Sequence, residues 1–296
     1  MKRIDLHIHT NKSDGALSPK EIIRIAKKNN VGTIAIADHD TVEAYTEEVC
    51  NYAIENKIDL IKAVEVSTKT KKCGIHVLGY DIDTNNREFN EKLKKIRNAR
   101  HNYLHDVANK LSKLNYIVNT SKLDMIEAVT KAHIATDIIS NEENKIELLR
   151  KFGHIPSKGE FIETIMNEGC PAYVKKKTVT PREAAEIIRK AGGKVVLAHP
   201  VAYVHEDGLT VDEIKKIVDD IQADGIEAYY VYTDKNDNII NEIDIWNKFA
   251  QKNNIFATVG ADFHVRDGKH AEIGLENVGV NLDDKTIDYI LKRLKQ

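Results

Sequence analysis

The chain is poor in the residues that mark secreted, membrane-bound or fibrous proteins. Its 296 residues include three cysteines, five prolines and one tryptophan. Cys50, Cys73 and Cys170 are too widely spaced for a disulfide framework or a zinc knuckle, which favours reduced thiols and a cytoplasmic location. No apolar run is long enough to span a membrane, and we predict no signal peptide, because Lys2 and Arg3 lead directly into an alternating strand.

An excess of charge of either sign is also missing. The chain has 44 Lys and Arg residues against 46 Asp and Glu residues, for a formal net charge of -2. This balance excludes the broad basic surface that long duplex nucleic acids require. The hydrophobic share of 42% is typical of a globular protein with a sizeable core. We expect no membrane partner and no obligate protein partner. Because the chain has no excess of positive charge, an anionic ligand must bind at a local site.

Strand and helix patterns alternate at both ends of the chain. Strands are predicted at residues 2–9, 33–37, 58–66, 74–80, 194–198, 226–231 and 255–259. Helices are predicted after capping boxes at Ser18 and Thr180, after Thr41, and at residues 211–222, 239–252 and 286–294. This alternation predicts a parallel β/α architecture, and seven strands favour a barrel over an open sheet.

The pattern changes in the middle of the chain, where strand signals are scarce and Lys, Asn and Glu are frequent. Helices are predicted there around residues 89–114, 125–139 and 158–166. We therefore predict three segments: a first part of the barrel at residues 1–86, a helical insertion or lid at 87–173, and a second part of the barrel at 174–296.

Side chains with metal-binding chemistry lie at the ends of most predicted strands. They are His7, His9, Asp14, His39, Glu65, His76, His199, Asp262 and His264. The C-terminal ends of parallel strands meet on one face of a barrel, so we expect these side chains to lie together. Imidazoles and carboxylates without thiols suit Mn, Fe or Zn, and the set exceeds what one ion needs.

Glu65 is the sole acid at its predicted strand end, which makes it a candidate to bridge two ions. Three divalent ions would carry more positive charge than Asp14, Glu65 and Asp262 offset. The remaining charge would attract a phosphate, and neighbouring divalent ions clamp the oxygens of an in-line displacement. The sequence therefore predicts phosphoester hydrolysis.

Together these motifs resemble those of the polymerase and histidinol phosphatase (PHP) family. The matching segments are His7-x-His9, Asp38-His39-Asp40, Glu65, His76, Ala198-His199-Pro200 and Asp262-Phe263-His264. The resemblance spans the whole chain and is greatest to a branch with a helical insertion. That branch includes nucleoside 3',5'-bisphosphate phosphatases and 5'-to-3' exoribonucleases. The resemblance implies a distorted (β/α)7 barrel of PHP type with a helical insertion subdomain, and a metal-dependent phosphoesterase.

The resemblance also implies how three ions share the ligands. The first would take His7, His9, Glu65 and Asp262, the second Asp14, His39 and His264, and the third Glu65, His76 and His199. A metal-bridging hydroxide would attack phosphorus, and Glu65, Asp262 and His264 would be the catalytic residues. Asp38 and Asp40 could orient a ligand imidazole, close the loop, or place charge at a helix N-terminus, and we favour the first role for both.

Substrate contacts are expected from the insertion and from the last loop. His133 matches a histidine in the insertion of the related branch, which implies a phosphate contact. Lys131, Lys175 and Arg266 are further candidates. The branch has Arg-Pro before its insertion histidine, whereas this chain has Lys131-Ala132, and Lys175 stands where the branch has a proline. The residues that bind substrate therefore differ from those of the branch.

The expected partner is a small phosphorylated molecule. Nucleoside 3',5'-bisphosphates, mononucleotides and the ends of short single-stranded RNA are the favoured classes. A histidinol-phosphate phosphatase is an alternative with the same metal site, although that branch does not typically carry the insertion. A non-catalytic, metal-stabilised regulatory module is an alternative of another class, and the complete ligand set argues against it.

Overall fold

The computed structural model describes residues 3–124, 129–175, 178–234 and 236–295. The chain forms two compact units, one of Met1–Lys94 with Val179–Gln296 and the other of Lys95–Thr178. The division into three segments at residues 86 and 173, with the middle segment as an insertion or lid, stays a prediction. No helix that the structure describes combines the length and the apolar composition of a membrane span.

Nine strands are described. They are β1 Arg3–Ile8, β2 Val31–Ile36, β3 Asp59–Lys69, β4 Gly74–Tyr80, β5 Lys194–Leu197, β6 Gly225–Tyr229, β7 Val231–Thr233, β8 Ile239–Asn241 and β9 Phe256–Val259. The helices are α1 Pro19–Lys28, α2 Glu47–Glu55, α3 Arg87–Ser112, α4 Thr120–Leu123, α5 Lys131–Ser140, α6 Lys145–Phe152, α7 Lys158–Phe161, α8 Pro181–Lys190, α9 Pro200–Asp207, α10 Val211–Asp220, α11 Ile243–Lys252 and α12 Asp284–Leu294.

Seven strands of the first unit form one sheet in the order β1-β2-β3-β4-β5-β6-β9. The pairs β1–β2, β2–β3, β5–β6 and β6–β9 are parallel, as the strand–helix alternation predicts. The sheet closes through a parallel bridge between Ile8 and Phe263, where His9 N donates to Phe263 O at 2.8 Å. The mostly parallel sheet confirms the expected PHP-type barrel fold.

Strand β4 corrects the expectation of a fully parallel barrel, since it runs antiparallel to both β3 and β5. The reason is the short link between Lys69 and Gly74, across which Thr70 N donates to Cys73 O at 2.9 Å. A parallel crossover needs a connection of about a dozen residues or more, so a link this short forms a hairpin.

The core of the first unit lies between the sheet and its helices. Along β1, Ile4, Leu6 and Ile8 join a buried apolar cluster that includes Ile22 of α1 and Ile290 of α12. The alternate residues Asp5 and His7 are polar and also buried, whereas Arg3 at the start of the strand is partly exposed. The two-residue period of β1 therefore separates packing side chains from site side chains, as predicted.

Helix starts follow local capping in most places. The predicted capping boxes at Ser18 and Thr180 are both present. The prediction that Thr41 caps a helix is wrong: α2 begins after Thr46, whose hydroxyl accepts from Val49 N at 3.2 Å. The Thr41 hydroxyl instead accepts from Glu43 N, which closes a local turn.

Two further corrections concern the second half of the chain. Residues 239–241 form β8, which pairs with β7, so α11 starts at Ile243 rather than at residue 239. The β-branched residues Ile239 and Ile240 fit a strand better than a first helical turn. The helix α9, which starts at Pro200 directly after His199, was not predicted.

The second unit consists of helices with a core of their own. Leu111, Ile134, Ile138 and Phe161 are among its fully buried side chains. The predicted helix at 89–114 is confirmed as α3. The first residues of the helix predicted at 125–139 lie outside the described residues. Helix α5 starts at Lys131, with Thr130 as its N-cap. The helix predicted at 158–166 divides into α7 and a wider π-type turn, Ile162–Met166.

Candidate metal centre

All nine predicted ligand side chains lie at one end of the sheet of the first unit. Most follow the C-terminal ends of parallel strands, as expected. His76 reaches the same edge from the beginning of β4, because this strand runs in the opposite direction and pairs His76 with Ser67 near the end of β3. The reversal of β4 therefore explains how a residue at the start of a strand can join residues at the ends of the others.

Glu65 lies at the middle of this cluster and is fully buried. Its two oxygens lie 3.1–3.3 Å from ring nitrogens of His7, His9, His39, His76 and His199. Oε2 is near the first three rings and Oε1 is near the other two. One carboxylate thus contacts two sets of imidazoles, which is the arrangement that a bridging ligand requires.

Glu65 Oε2 belongs to a compact group of four ligand atoms, with Asp262 Oδ1, His7 Nε2 and His9 Nε2 as the other three. Asp262 Oδ1 lies 3.3 Å from His7 Nε2 and 3.1 Å from His9 Nε2, and the two imidazole nitrogens are 3.1 Å apart. Atoms bound to one ion at about 2.0–2.2 Å lie roughly 3–3.5 Å from each other. The spacing in this group therefore fits a single divalent ion.

A second group adjoins the first. It consists of His9, Asp14, His39 and His264, whose ligand atoms all lie within 4.8 Å of one another. His264 Nε2 is 2.9 Å from Asp14 Oδ2, and His9 Nδ1 is 3.4 Å from Asp14 Oδ1. The rings of His9 and His264 stack with their centroids 4.0 Å apart.

A third group contains His39, Glu65 and His76. His199 reaches it through Glu65, since His199 Nε2 lies 3.2 Å from Glu65 Oε1. Each pair of groups has one residue in common: His9 belongs to the first and second, Glu65 to the first and third, and His39 to the second and third. The three groups therefore form one continuous cluster. How the ligands are divided among ions stays a prediction.

Two buried carboxylate oxygens test whether cations fit here. Within the described parts of the chain, neither Glu65 Oε2 nor Asp262 Oδ1 has a hydrogen bond of suitable geometry, although imidazole nitrogens lie close to both. A buried oxygen without a donor costs on the order of 1–3 kcal/mol. A divalent cation between these oxygens and the imidazoles would satisfy both, and the mixed nitrogen and oxygen donors suit Mn, Fe or Zn.

The electrostatics of the cluster agree with this fit. Burial by itself would lower the pKa of His7, but the carboxylates of Glu227, Glu65 and Asp262 outweigh burial and raise the pKa well above its usual value. Burial would likewise raise the pKa of Glu65, yet the imidazoles of His39, His7 and His76 hold the pKa well below its usual value. The cluster therefore favours positive charge beside its carboxylates, which metal ions supply.

The sequence also identifies the family. The sequence matches the family model of the PHP domain over residues 5–193, which is more than half of the chain. The chain belongs to the PHP family. The expected enzyme class, a metal-dependent phosphoric ester hydrolase, is confirmed at this level.

Several characterised proteins resemble the PHP chain over most of its length. It is 28% identical to a 5'-3' exoribonuclease of Haemophilus influenzae, over 95% of each chain. It is 29% identical to the 5'-3' exoribonuclease Rnm of Escherichia coli, over 88% of this chain and 84% of that one. A 3',5'-nucleoside bisphosphate phosphatase of Chromobacterium violaceum is 27% identical over 92% of each chain.

A solved structure agrees on the fold. The crystal structure of a protein of Bifidobacterium adolescentis aligns with a TM-score of 0.65 and 22% identity, over 99% of this chain and 96% of that one.

Glu227 supports the PHP centre and was not predicted from the sequence. Its oxygens lie 3.0 and 3.1 Å from His7 Nδ1, and it accepts from His199 N at 2.9 Å. A proton on Nδ1 leaves the lone pair of His7 Nε2 facing Glu65 and Asp262, so Glu227 selects the tautomer that can bind metal. The signal that could have found it is a single acid inside the apolar strand β6.

Gly260 shows how closely this support is packed. A Cβ at this position would lie 2.3 Å from Glu227 Oε1 and 2.3 Å from His7 Cβ. Both neighbours are buried and held by other contacts, so neither can move aside. A side chain at position 260 would therefore displace the proposed ligand or its support.

Asp5 fixes the backbone around the PHP centre. It accepts from Ala261 N at 3.0 Å, from Gly274 N at 2.9 Å and from His7 N at 3.3 Å. Burial outweighs these bonds and raises the pKa of Asp5 to about 7. The alternation of β1 places Asp5 in the same polar row as His7 and His9, but no role was predicted for it.

Asp38 holds the loop that carries Asp14. It accepts from Thr10 N, Thr10 Oγ1 and Ser13 Oγ, each at 2.6 Å. Because Ser13 immediately precedes Asp14, these bonds fix the backbone position from which the Asp14 side chain extends. Asp38 is thus placed to support the PHP centre, and its predicted effect on a ligand imidazole stays a prediction.

Asp40 acts on the neighbouring strand. Its Oδ1 accepts from Ser67 N at 2.9 Å, and Ser67 Oγ lies 3.2 Å from His39 Nδ1. The connection from Asp40 to the His39 ring therefore passes through Ser67. The orienting role favoured for Asp40 stays a prediction.

Three residues of the PHP centre have left-handed backbone conformations. The φ angles are 22° at His199, 51° at Asp40 and 51° at Asp262. Such conformations cost on the order of 1–3 kcal/mol each in residues other than glycine. They occur where the chain turns sharply after a strand, and the rest of the fold stabilises them.

Exposure is uneven across the PHP centre. The side chains of His7, His9 and Glu65 are fully buried. The side chains of Asp14, Asp262, His76 and His264 are 20–31% exposed. A substrate must therefore meet the centre on the side of these four residues.

The predicted substrate residues of the insertion lie in the second unit. Lys131 Nζ donates to Asn167 Oδ1 at 2.9 Å and lies 5.8 Å from the centre of the Tyr173 ring. His133 accepts through Nδ1 from Thr130 N at 3.3 Å, which completes the cap of α5.

Lys175 and Arg266 are both exposed. Arg266 belongs to the first unit and pairs with Glu272 at 2.6 Å. Substrate binding by these two residues, and by Lys131 and His133, stays a prediction.

Proposed function

We propose that this PHP protein hydrolyses phosphate monoesters of nucleotides. The favoured substrates are nucleoside 3',5'-bisphosphates, mononucleotides and the ends of short oligoribonucleotides. The observation that carries the proposal is the contact of Glu65 with five imidazoles at 3.1–3.3 Å, at the centre of nine residues with metal-binding chemistry. Clustered divalent ions are typical of enzymes that transfer phosphoryl groups to water.

The named relatives support the nucleotide class. The exoribonucleases and the bisphosphate phosphatase that resemble this chain carry names that refer to phosphate esters of RNA or of nucleosides. The similarity covers most of each chain, so it includes the segment between the two parts of the barrel. We favour these substrates over histidinol phosphate for that reason, and we keep the cytoplasmic location as part of the proposal.

Three divalent ions are proposed for the centre. His7, His9, Glu65 and Asp262 would hold the first, Asp14, His39 and His264 the second, and Glu65, His76 and His199 the third. When bound, ions of this kind polarise phosphoryl oxygens and provide a nucleophile near neutral pH. Mn, Fe and Zn are the candidates that the donor set favours.

The protein residues have distinct tasks in this proposal. Glu65 and Asp262 supply the negative charge that keeps several cations close together. Glu227 holds His7 in the tautomer that directs Nε2 inward. The burial of His7 and Glu65 excludes water from one side, so a phosphate can approach only from the exposed side.

Exoribonuclease activity is a second candidate function. The observation that favours it is the name shared by the relatives from Haemophilus influenzae and Escherichia coli. Degradation from the 5' end and hydrolysis of a terminal phosphate both need a metal centre that accepts a single-stranded end. The two functions therefore differ in the substrate site and not in the centre.

The test is a substrate panel combined with metal analysis. The purified protein would be assayed with Mn, Fe and Zn on adenosine 3',5'-bisphosphate, adenosine 5'-monophosphate, histidinol phosphate and 5'-phosphorylated oligoribonucleotides. We expect release of phosphate or of mononucleotides, and at least two equivalents of metal by mass spectrometry. Less than one equivalent of metal, with no activity after addition of Mn, would sink the enzyme proposal and favour a regulatory module.

A further inference from the structure

A cavity of about 310 Å³ opens beside the metal centre, within the first unit. Asp262 and His264 form part of its lining, and both belong to the exposed side of the centre. Tyr230, which also lines the cavity, lies with its ring 5.7 Å from the His199 ring. A phosphate on the metals would therefore have its ester oxygen near the mouth of this cavity.

The walls of the cavity are aromatic and aliphatic. Tyr230, Tyr232, Val231, Val265, Ala261 and Ala271 line it. Of these, the side chains of Tyr232 and Ala271 are buried within the protein, whereas Val265 is 48% exposed at the rim. Pockets of this kind bind flat or apolar groups of small ligands.

The polar groups of the lining are carboxylates, imidazoles and hydroxyls. The carboxylates besides Asp262 are Glu206 and Asp267, and none of the described lining residues is a lysine or an arginine. Glu206 accepts from the Tyr232 hydroxyl at 2.5 Å, and Asp267 lies 2.5 Å from His270 Nδ1. Such a wall offers acceptors to hydroxyl groups and repels a second phosphate.

We infer that this cavity, which we call the leaving-group pocket, binds the uncharged nucleoside part of the substrate while the scissile phosphate lies on the metals. The inference rests on the proposed function, because a leaving group exists only if a phosphate ester is hydrolysed. It adds the location of the nucleoside and the chemistry of its site. A further phosphate on the same nucleoside would have to point out of the pocket.

The rim residue Val265 provides the test. Val265→Trp would narrow the pocket without changing a buried position, and Val211→Trp is a matched control, since Val211 is 45% exposed on α10 and does not line the pocket. Kinetics would be measured with adenosine 5'-monophosphate and with methyl phosphate, whose leaving group is too small to reach the pocket. We expect Val265→Trp to lower kcat/KM for the nucleotide about tenfold and for methyl phosphate less than about twofold.

Equal losses for both substrates, or no loss relative to Val211→Trp, would overturn the leaving-group pocket while the phosphatase activity stands. Calorimetric titration of the zinc-loaded protein with adenosine further separates the leaving-group pocket from the proposed hydrolysis of phosphate esters. We expect adenosine to bind the wild-type protein and to bind Val265→Trp about tenfold more weakly. Weakened adenosine binding by Val265→Trp in a protein that hydrolyses no phosphate ester would support a nucleoside site at this cavity but overturn the proposed reaction and, with it, the leaving-group role. Adenosine that binds both proteins equally would overturn the pocket.

Discussion

The buried side and the exposed side of the PHP centre are built in different ways. On the buried side, His7, His9 and Glu65 have no exposed side-chain surface, and Glu227 holds His7 from behind. On the exposed side, Asp14, Asp262, His76 and His264 keep about a fifth to a third of their side-chain surface. We therefore expect the first side to fix charge and geometry and the second side to meet the substrate. Changes on the two sides should then have different effects on metal binding and on substrate binding.

Glu65→Ala is expected to have the largest effect. Glu65 contacts five imidazoles, so its loss leaves several cations without their shared carboxylate. We expect kcat to fall by at least about a thousandfold and metal content to fall by at least one equivalent, measured by steady-state kinetics and mass spectrometry. Glu55→Ala, at the exposed end of α2, is the control and should change neither. Full metal content in Glu65→Ala would contradict the bridging role.

Chelation should also act mainly on the buried side. Ions bound there would stabilise the folded protein by an amount that grows with the logarithm of the ratio of free metal to Kd, because the unfolded chain has no such site. We expect removal of metal by a chelator to lower Tm by several degrees and readdition of Mn or Zn to restore it. A scanning calorimeter measures the effect, and Glu65→Ala serves as the comparison because it should show a much smaller shift. An unchanged Tm in the wild-type protein would argue against tightly bound ions.

Glu227→Gln should have an intermediate effect. The amide keeps the volume of the side chain but has one acceptor oxygen for the two donors, His7 Nδ1 and His199 N. We expect metal affinity to fall about 10–100-fold, measured by competition with a chelating dye. Asp5→Asn is the matched control, since it also replaces a buried acid, but one that accepts from the backbone amides of Ala261, Gly274 and His7 and not from an imidazole ring. If both variants lost the same affinity, Glu227 would not act through the imidazole.

His133→Ala should have the smallest effect. His133 lies in the second unit and its ring takes part in the cap of α5. If His133 contacts the substrate phosphate, its loss should raise KM about fivefold and leave metal content unchanged. Thr130→Ala removes the other half of the same cap and controls for a loosened helix. Loss of an ion from His133→Ala would show that the predicted role is wrong.

The residues proposed as ligands could be predicted from the sequence more readily than the residues that support them. His7, His9, Asp262 and His264 end alternating or apolar strands, and polar residues at such positions stand out against the packing pattern. Glu227 also lies in an apolar strand, but a single acid with no neighbouring motif gives no indication of its partner. Its partner His7 lies 220 positions away in the chain, so only the closed barrel reveals the contact.

The direction of β4 shows a second limit. Periodicity indicates that residues 74–80 form a strand, but it does not indicate which way the strand runs. The short connection from Lys69 to Gly74 contained that information, because it is too short for a crossover. The start of α2 was missed for a related reason: Thr41 and Thr46 are both suitable caps, and the local turn at Thr41 was not distinguishable by residue type.

The closure of the barrel has a consequence for folding. Ile8 and Phe263 form the seam between the first strand and the loop after the last one, and proposed ligands flank both of them. His7 and His9 come from one side of the seam, and Asp262 and His264 come from the other. A growing chain therefore cannot bring together the ligands proposed for the first ion until its final strand has docked, so binding of that ion would report this docking and would then hold the two ends of the barrel together.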